Sequence, residues 1–510
     1  MELVSERRYG KIYKSDPWYI YELKQPVLSD KERELVSLVN RATLKEFSSS
    51  DLTMLFVENK QRANFLEKIK NLLLHLELYS GRLISVEEED KVIKAVGEFI
   101  KNVAPFVVHK EEVIYAIIKN LIGMGPLSYL LEDDELEEIM ANGAKEPVFV
   151  FDRHHGLCRT NLVFDSEKDI LAIIERIANF VDKKINKDYP LLEARLPDGS
   201  RVNSTIPPAS PKGPTITIRK FRKKPFTITD MVKNNTMNSE VAAFLWLCVE
   251  GMKVSAKNMI IAGGTGSGKT TTMNALTVFI PQRDRIVTIE DTLELNLHGR
   301  EDWVQLEARP GIYEVPLGMV ELLKNTIRMR PDRILVGEVR GEEAENMFVA
   351  MDIGHQGVMS TVHSNSARET LLRLQSPPMN VPKSMFTLLD LIVMQHRMYV
   401  PNAGLIRRVA QIAEVSVMGE HVLLNDIYAR DRVKDDVMRT DIPSQIVESF
   451  SFLTGLSKKE VHEELLSRQL VIDFLVGNNV VDYSDIQKLI NAYYKNPGAL
   501  LDKIESKKAT

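Results

Sequence analysis

Glycines at 263, 264, 266 and 268 crowd a stretch that closes on Lys269, Thr270 and Thr271. Read in order, Gly263-Gly264-Thr265-Gly266-Ser267-Gly268-Lys269-Thr270 satisfies the pattern G-x-x-x-x-G-K-[ST]. The spacing has a chemical reason. Glycines tolerate positive φ and put no Cβ between the backbone N–H groups and an anion, so successive amides can cradle phosphate. A helix starting at Lys269 would add its positive end to the same anion. Lys269 would then reach the β- and γ-phosphates, and the Thr270 hydroxyl would ligate Mg²⁺. A glycine-rich surface loop is the competing reading. It accounts for neither the apolar run before the loop nor the helical pattern after it.

The elements that must position this chemistry follow in order. Met259-Ile-Ile-Ala reads as the strand feeding the loop. Arg285-Ile-Val-Thr-Ile-Glu290-Asp291 is a strand ending in carboxylates, with Glu294 just beyond it. Arg333-Ile-Leu-Val-Gly-Glu338 ends in another, and Gly357-Val-Met-Ser-Thr-Val-His363 ends in an imidazole. Strands alternating with helices predict a mainly parallel sheet, whose ligands sit beyond the carboxyl ends of the strands. An apolar strand ending in Asp is the usual companion of a phosphate loop. Here the strand ends in Gly337-Glu338, without that Asp.

Three arginines mark the strand-like pieces before the basic run. Arg195 and Arg201 flank a Pro-Asp-Gly turn, and Arg219 closes the alternating run Thr215-Ile-Thr-Ile-Arg219. Each can serve in a structural ion pair. His154, His155 and Cys158 cluster near a turn, but three residues there make a poor metal set.

With 510 residues the chain exceeds what one core organises. A hydrophobic content of 44% with 27% charged residues places it among ordinary globular proteins, and the net charge of −5 argues against a general nucleic-acid-binding surface. Two cysteines far apart fit a reducing compartment and exclude a cysteine-based zinc module. Neither a signal core nor a membrane-length apolar run is visible, so a cytoplasmic location is expected, with membrane attachment through partners.

Residues 1–105 read as an aromatic N-terminal arm followed by a helical bundle. The arm holds Tyr9, Tyr13, Trp18, Tyr19 and Tyr21, shows no clear period, and suggests docking onto the chain's own body or a partner. Residues 106–219 read as a small α/β domain, in which Glu132 to Met140 is expected as an acidic helix. Residues 220–236, opening on Lys220-Phe-Arg-Lys-Lys, read as a basic linker and natural hinge. Residues 237–510 read as a phosphate-loop α/β domain with a helical C-terminal part. A Met-rich helix is expected beyond Ser376-Pro-Pro378, then two strands.

Taken together, the loop at 263–270, the acids Glu290, Asp291 and Glu294, the Glu338 strand, and Gly354-His355 with Ser360-Thr-Val-His363 resemble the type II/type IV secretion ATPase superfamily. The archaeal branch is the most similar, and within it the archaellum motor ATPase. This resemblance implies a RecA-like ATPase domain and a hexameric ring of the same chain, with ATP and Mg²⁺ as cofactors. It implies that Gly263 to Thr271, with Glu290, Asp291 and Glu294, bind nucleotide, and that Thr270, Glu290 and Glu338 surround the metal. It further implies that Glu338 polarises water, that His355 and His363 couple the γ-phosphate to neighbouring strands, and that one of Arg195, Arg201 and Arg219 is the arginine finger. The implied partners are a polytopic membrane platform protein and other cytoplasmic motor components; nucleic acid is not expected. Pilus-assembly or protein-secretion ATPases, a nucleic-acid translocase and a non-hydrolysing scaffold are the alternatives.

Overall fold

The computed structural model describes residues 1–24, 28–33, 35–36, 86–103, 107–121, 123–221, 225–309, 317–400, 404–419 and 421–508. Most of the expected helical bundle, residues 37–85, lies outside them. The chain divides into two compact units, Met1–Lys223 and Lys224–Thr510.

The first unit is built on a nine-stranded sheet in the order β1-β2-β3-β6-β5-β4-β9-β8-β7. Its strands are β1 (Glu2–Glu6), β2 (Gly10–Ser15), β3 (Trp18–Leu23), β4 (Leu136–Ala141), β5 (Pro147–Asp152), β6 (Gly156–Val163), β7 (Leu191–Arg195), β8 (Arg201–Thr205) and β9 (Thr215–Arg219). The aromatic arm is thus sheet. β3 pairs in parallel with β6, Tyr21 lying opposite Thr160. The Tyr21 hydroxyl donates to Asp133 at 2.7 Å, and Arg7 reaches Asp152 at 2.6 Å, so buried polar contacts fasten the arm to its own domain. With aromatics on both faces of the hairpin, the period-2 signal is blurred in the sequence.

The stretch expected as an acidic helix is β4 from Leu136 onward. Leu136, Ile139 and Ala141 are buried there between β5 and β9, and the acids face outward between them. Helix Val86–Val103 packs against Lys110–Leu121. Lys220 is not a solvated linker residue. Its ammonium donates to the carbonyls of Asp133 and Leu130, and burial lowers its pKa to about 8.

The second unit carries a nine-stranded sheet in the order β12-β11-β13-β14-β10-β15-β16-β17-β18. These are β10 (Met259–Gly263), β11 (Ile286–Glu290), β12 (Trp303–Glu307), β13 (Arg333–Val339), β14 (Met359–His363), β15 (Leu391–Val400), β16 (Gly404–Met418), β17 (His421–Asp431) and β18 (Asp436–Arg439). From β12 to β15 all pairings are parallel; the last three are antiparallel. Burial on both faces explains the continuous apolar runs. Met259 and Ile261 pack on one side with Trp246, Phe244 and the C-terminal helices, while Ile260 and Ala262 pack on the other with Phe348 and Phe386. The expected Met-rich helix is a short 3-10 turn, Lys383–Leu388, followed by β15. Leu391-Ile-Val-Met is buried between β10 and β16, which forces strand on a segment with helix-compatible residues.

Candidate nucleotide site

Because β10, β11, β13 and β14 run in one direction, their carboxyl ends share one edge of the sheet. At that edge β10 turns into the loop, and helix Lys269–Leu276 leaves it. Gly266 and Gly268 adopt φ of +69° and +93°, as a nest of inward-facing amides requires. Gly263 answers to crowding instead: a Cβ there would lie 2.2 Å from the Gln395 carbonyl oxygen. Lys269 is buried and donates to the carbonyls of Gly263 and Gly264 at 3.0 and 3.1 Å. Its charge is therefore held along the loop. Thr270 and Thr271 follow in the first turn of the helix.

Glu338 stands in an irregular stretch of β13, where the register against β14 shifts between Val336 and Val339. A bulge of this kind re-aims a side chain at a strand end. The Thr361 hydroxyl pins it by donating to the Gly337 carbonyl at 2.7 Å. Burial pushes the Glu338 carboxyl up, but the Arg340 hydrogen bond and charge, with Lys269 and His363, outweigh it and hold the group below the usual carboxylate range. Electrostatically Glu338, Lys269 and His363 form one cluster. His363 Nε2 also lies 3.1 Å from the Thr265 hydroxyl at the crest of the loop.

Glu290 is almost fully buried, and one of its oxygens accepts from the amides of Glu294 and Leu295 at 2.7 and 2.9 Å. It therefore shapes the turn that carries Asp291 and Glu294. The neighbouring strand runs tight against this side chain. A Cβ at Gly337 would meet Glu290 Cγ at 3.0 Å, so the carboxylate side chain of β11 takes the space a longer residue there would need. Asp291 and Glu294 lie near enough to Arg340 to raise its pKa.

His355 does not share this edge. It precedes β14, and its amide donates to Ala350 at 3.2 Å. His363 ends the same strand, roughly 13 Å further on at about 3.3 Å per residue. Of the two histidines, His363 lies beside the loop and His355 lies before the other end of β14.

In the first unit, the three candidate arginines stand in one row. Arg195 is the register partner of Arg201, and Arg201 of Arg219, across β7, β8 and β9. Glu138 on β4 continues the row as the register partner of Arg219. Sequence reading named the three arginines but could not align them.

Two further arginines escaped it altogether. Arg397 and Arg407, register partners on β15 and β16, flank Gly266 from the side of β10 opposite β14. No local pattern marks them, since their approach to the loop comes from the pairing of β15 with β10 and with β16.

The profile of the family described as type II/IV secretion system protein matches residues 120–415. The chain belongs to this family. That match spans the later strands of the first unit and the nucleotide edge of the second. MJ0900, an uncharacterized protein of Methanocaldococcus jannaschii, is 31% identical over 457 residues, covering 84% of this chain and 81% of its own length. MJ0781 of the same organism is 47% identical over 259 residues; the match covers 50% of this chain but only 35% of that longer protein. The conjugal transfer protein TrbB of Rhizobium radiobacter is 32% identical over 253 residues, covering 49% of this chain and 74% of TrbB. The second unit carries the phosphate loop on a mainly parallel sheet. No helix among the described residues is long and apolar enough to cross a membrane.

Proposed function

We propose that this chain is a Mg²⁺-dependent ATPase and the subunit of a hexameric motor. The motor drives a type IV pilus-like filament, the archaellum, from the cytoplasmic face of a membrane, docked on a polytopic platform protein. Support for hydrolysis comes from one observation above all: Glu338, held ionised beside Lys269 and His363, at the edge where the glycine loop meets its helix. Support for the machine comes from family membership and from relatives in Methanocaldococcus.

The chain's own residues supply positioning and electrostatics, which is most of what phosphoryl transfer needs. Loop amides and Lys269 neutralise the β- and γ-phosphates. Glu338 orients the attacking water, and His363 ties the crest of the loop to β14. One arginine of the Arg195–Arg201–Arg219 row offsets charge developing on the transferred group. Thr270 and the acids of the Glu290–Glu294 turn are oxygen donors of the kind Mg²⁺ selects. Mg²⁺ at nucleotide sites is held largely by phosphate and water with one or two protein oxygens, which these residues can supply. When bound, the ion would draw charge from the β- and γ-oxygens.

Replacing Glu338 with Gln tests the reading. ATP turnover should fall at least a hundredfold, while binding of a fluorescent ATP analogue stays near wild type. Unchanged turnover would remove Glu338 from the mechanism. Turnover that rises with added nucleic acid and collapses with salt would favour a translocase instead.

A further inference from the structure

We infer that Arg407, assisted by Arg397, is a positioning residue for the nucleotide polyphosphate, acting through the phosphate-loop backbone. This inference rests on the ATPase reading. Arg407 Nε donates to the Gly266 carbonyl at 2.9 Å. In a trans peptide the carbonyl and the following N–H point in opposite directions, so fixing the Gly266 oxygen also fixes the Ser267 amide. That amide donates to the Gly264 carbonyl at 3.3 Å, and the peptide plane is therefore held at both ends. Lys269 donates to the same Gly264 carbonyl, which links the catalytic ammonium to the tethered plane.

The tether starts from a firm base. Arg397 and Arg407 face each other across the β15–β16 ladder, whose inner part is buried. Gln395, one pleat below Arg397, is buried and accepts from the Thr272 hydroxyl at 2.7 Å. A Cβ on Gly266 would lie 2.7 Å from Arg397 Nη1, and one on Gly268 would lie 3.5 Å from Arg407 Cδ. The two guanidinium groups thus stand against the back of the loop.

The test uses the full chain, steady-state ATP hydrolysis, and the affinities of fluorescent MANT-ADP and MANT-AMP. A hydrogen bond from a charged donor corresponds to roughly a ten- to hundredfold change in an equilibrium constant. Arg407→Met should therefore raise the KM for ATP and the Kd for MANT-ADP by about that factor, with kcat within threefold of wild type. Such a split marks binding used equally in ground and transition states. Because the tether serves the phosphates beyond the first, the preference for MANT-ADP over MANT-AMP should shrink. Arg407→Lys should fall between wild type and Met, and Arg397→Met should give a smaller rise than Arg407→Met. Loss of packing alone would leave the ADP-to-AMP preference where it was. The inference is overturned if that preference stays within twofold of wild type in Arg407→Met, whatever KM does, or in Arg407→Lys and Arg397→Met should the Met variant not fold. A wild-type chain that binds MANT-ADP but hydrolyses no ATP counts against the ATPase reading; the ADP-to-AMP preference still decides the role of Arg407.

Discussion

The Arg340 guanidinium donates to Glu338 Oε2 at 2.7 Å, so the carboxylate expected to orient water is gripped by a neighbour two residues along. Burial raises the carboxyl's pKa, and Arg340 is the chief influence that reverses it. Catalysis needs the ionised form, so the acid limb of the pH–rate profile should lie at the lowered Glu338 value. Removing Arg340 raises that value. Arg340→Met should shift the acid limb of kcat/KM toward higher pH and leave the rate above about pH 7 little changed, where an ordinary carboxyl is ionised either way. An unmoved limb would show that Arg340 does not govern Glu338 in the working enzyme.

The row Arg195, Arg201 and Arg219 makes a graded prediction. If one of them stabilises the transferred phosphoryl group, its replacement by Ala should lower kcat by about a thousandfold or more, as loss of an arginine finger does. The other two should cost much less in kcat and show their effect mainly in KM. Steady-state kinetics on the three single variants separates these outcomes. Losses below tenfold in all three would mean that the row serves the sheet and not the nucleotide.

The site was legible where chemistry dictates local sequence. A phosphate nest needs glycines at fixed intervals, and strands that end at a ligand edge carry their carboxylates last, so Gly263 to Thr270, Glu290 and Glu338 could be read directly. What failed depended on tertiary context. Leu136 to Ala141 carries acids at helical density, yet its three buried apolar residues settle it as a strand. Leu391-Ile-Val-Met is strand because β10 and β16 bury it on both sides. Arg407 reaches Gly266 across more than a hundred residues of sequence, which no local pattern encodes. His355 shows the converse. It lies close to His363 in sequence, but an intervening strand carries the two to opposite edges of the sheet.

Asp152 gives a pH-dependent prediction in the first unit. Its buried carboxylate accepts from Arg7, from His155 Nδ1 at 2.7 Å, and from the amides of His154 and His155. Burial pushes its pKa up, but the His155 and Arg7 hydrogen bonds prevail and depress it well below the ordinary value. A carboxyl depressed in the folded state stabilises fully above its unfolded pKa of about 3.9, and that stabilisation is lost as pH falls toward the folded value. Asp152→Asn should therefore cost about 2–4 kcal/mol between pH 5 and 7, with the gap narrowing below about pH 4. Because Arg7 precedes β2, amide exchange in β2 and β3 should accelerate along with the loss. A gap independent of pH would assign the cost to packing.

The last prediction concerns the helices behind the phosphate loop. Arg468, buried on helix Lys458–Gly477, donates to buried Glu250 at 2.8 Å, and its guanidinium lies over the Trp246 ring at 5.2 Å. Trp246 in turn stacks on Phe279, centroids 4.9 Å apart, and donates to the Tyr494 hydroxyl, which itself donates to the Phe279 carbonyl. Phe279 closes the 3-10 turn that continues the Lys269–Leu276 helix, so one ion pair supports the scaffold on which the loop's helix rests. Removing one member leaves a charge in the core. Arg468→Met should destabilise the second unit by about 3–5 kcal/mol. Arg468 also pairs with the partly exposed Glu464 at 3.1 Å, so adding Glu250→Gln should recover the part of the loss that comes from the buried Glu250 charge. Urea unfolding of the two single variants and the double closes the cycle. Additive losses would mean that Arg468 contributes through its contact with Trp246 and Tyr493 and not through Glu250.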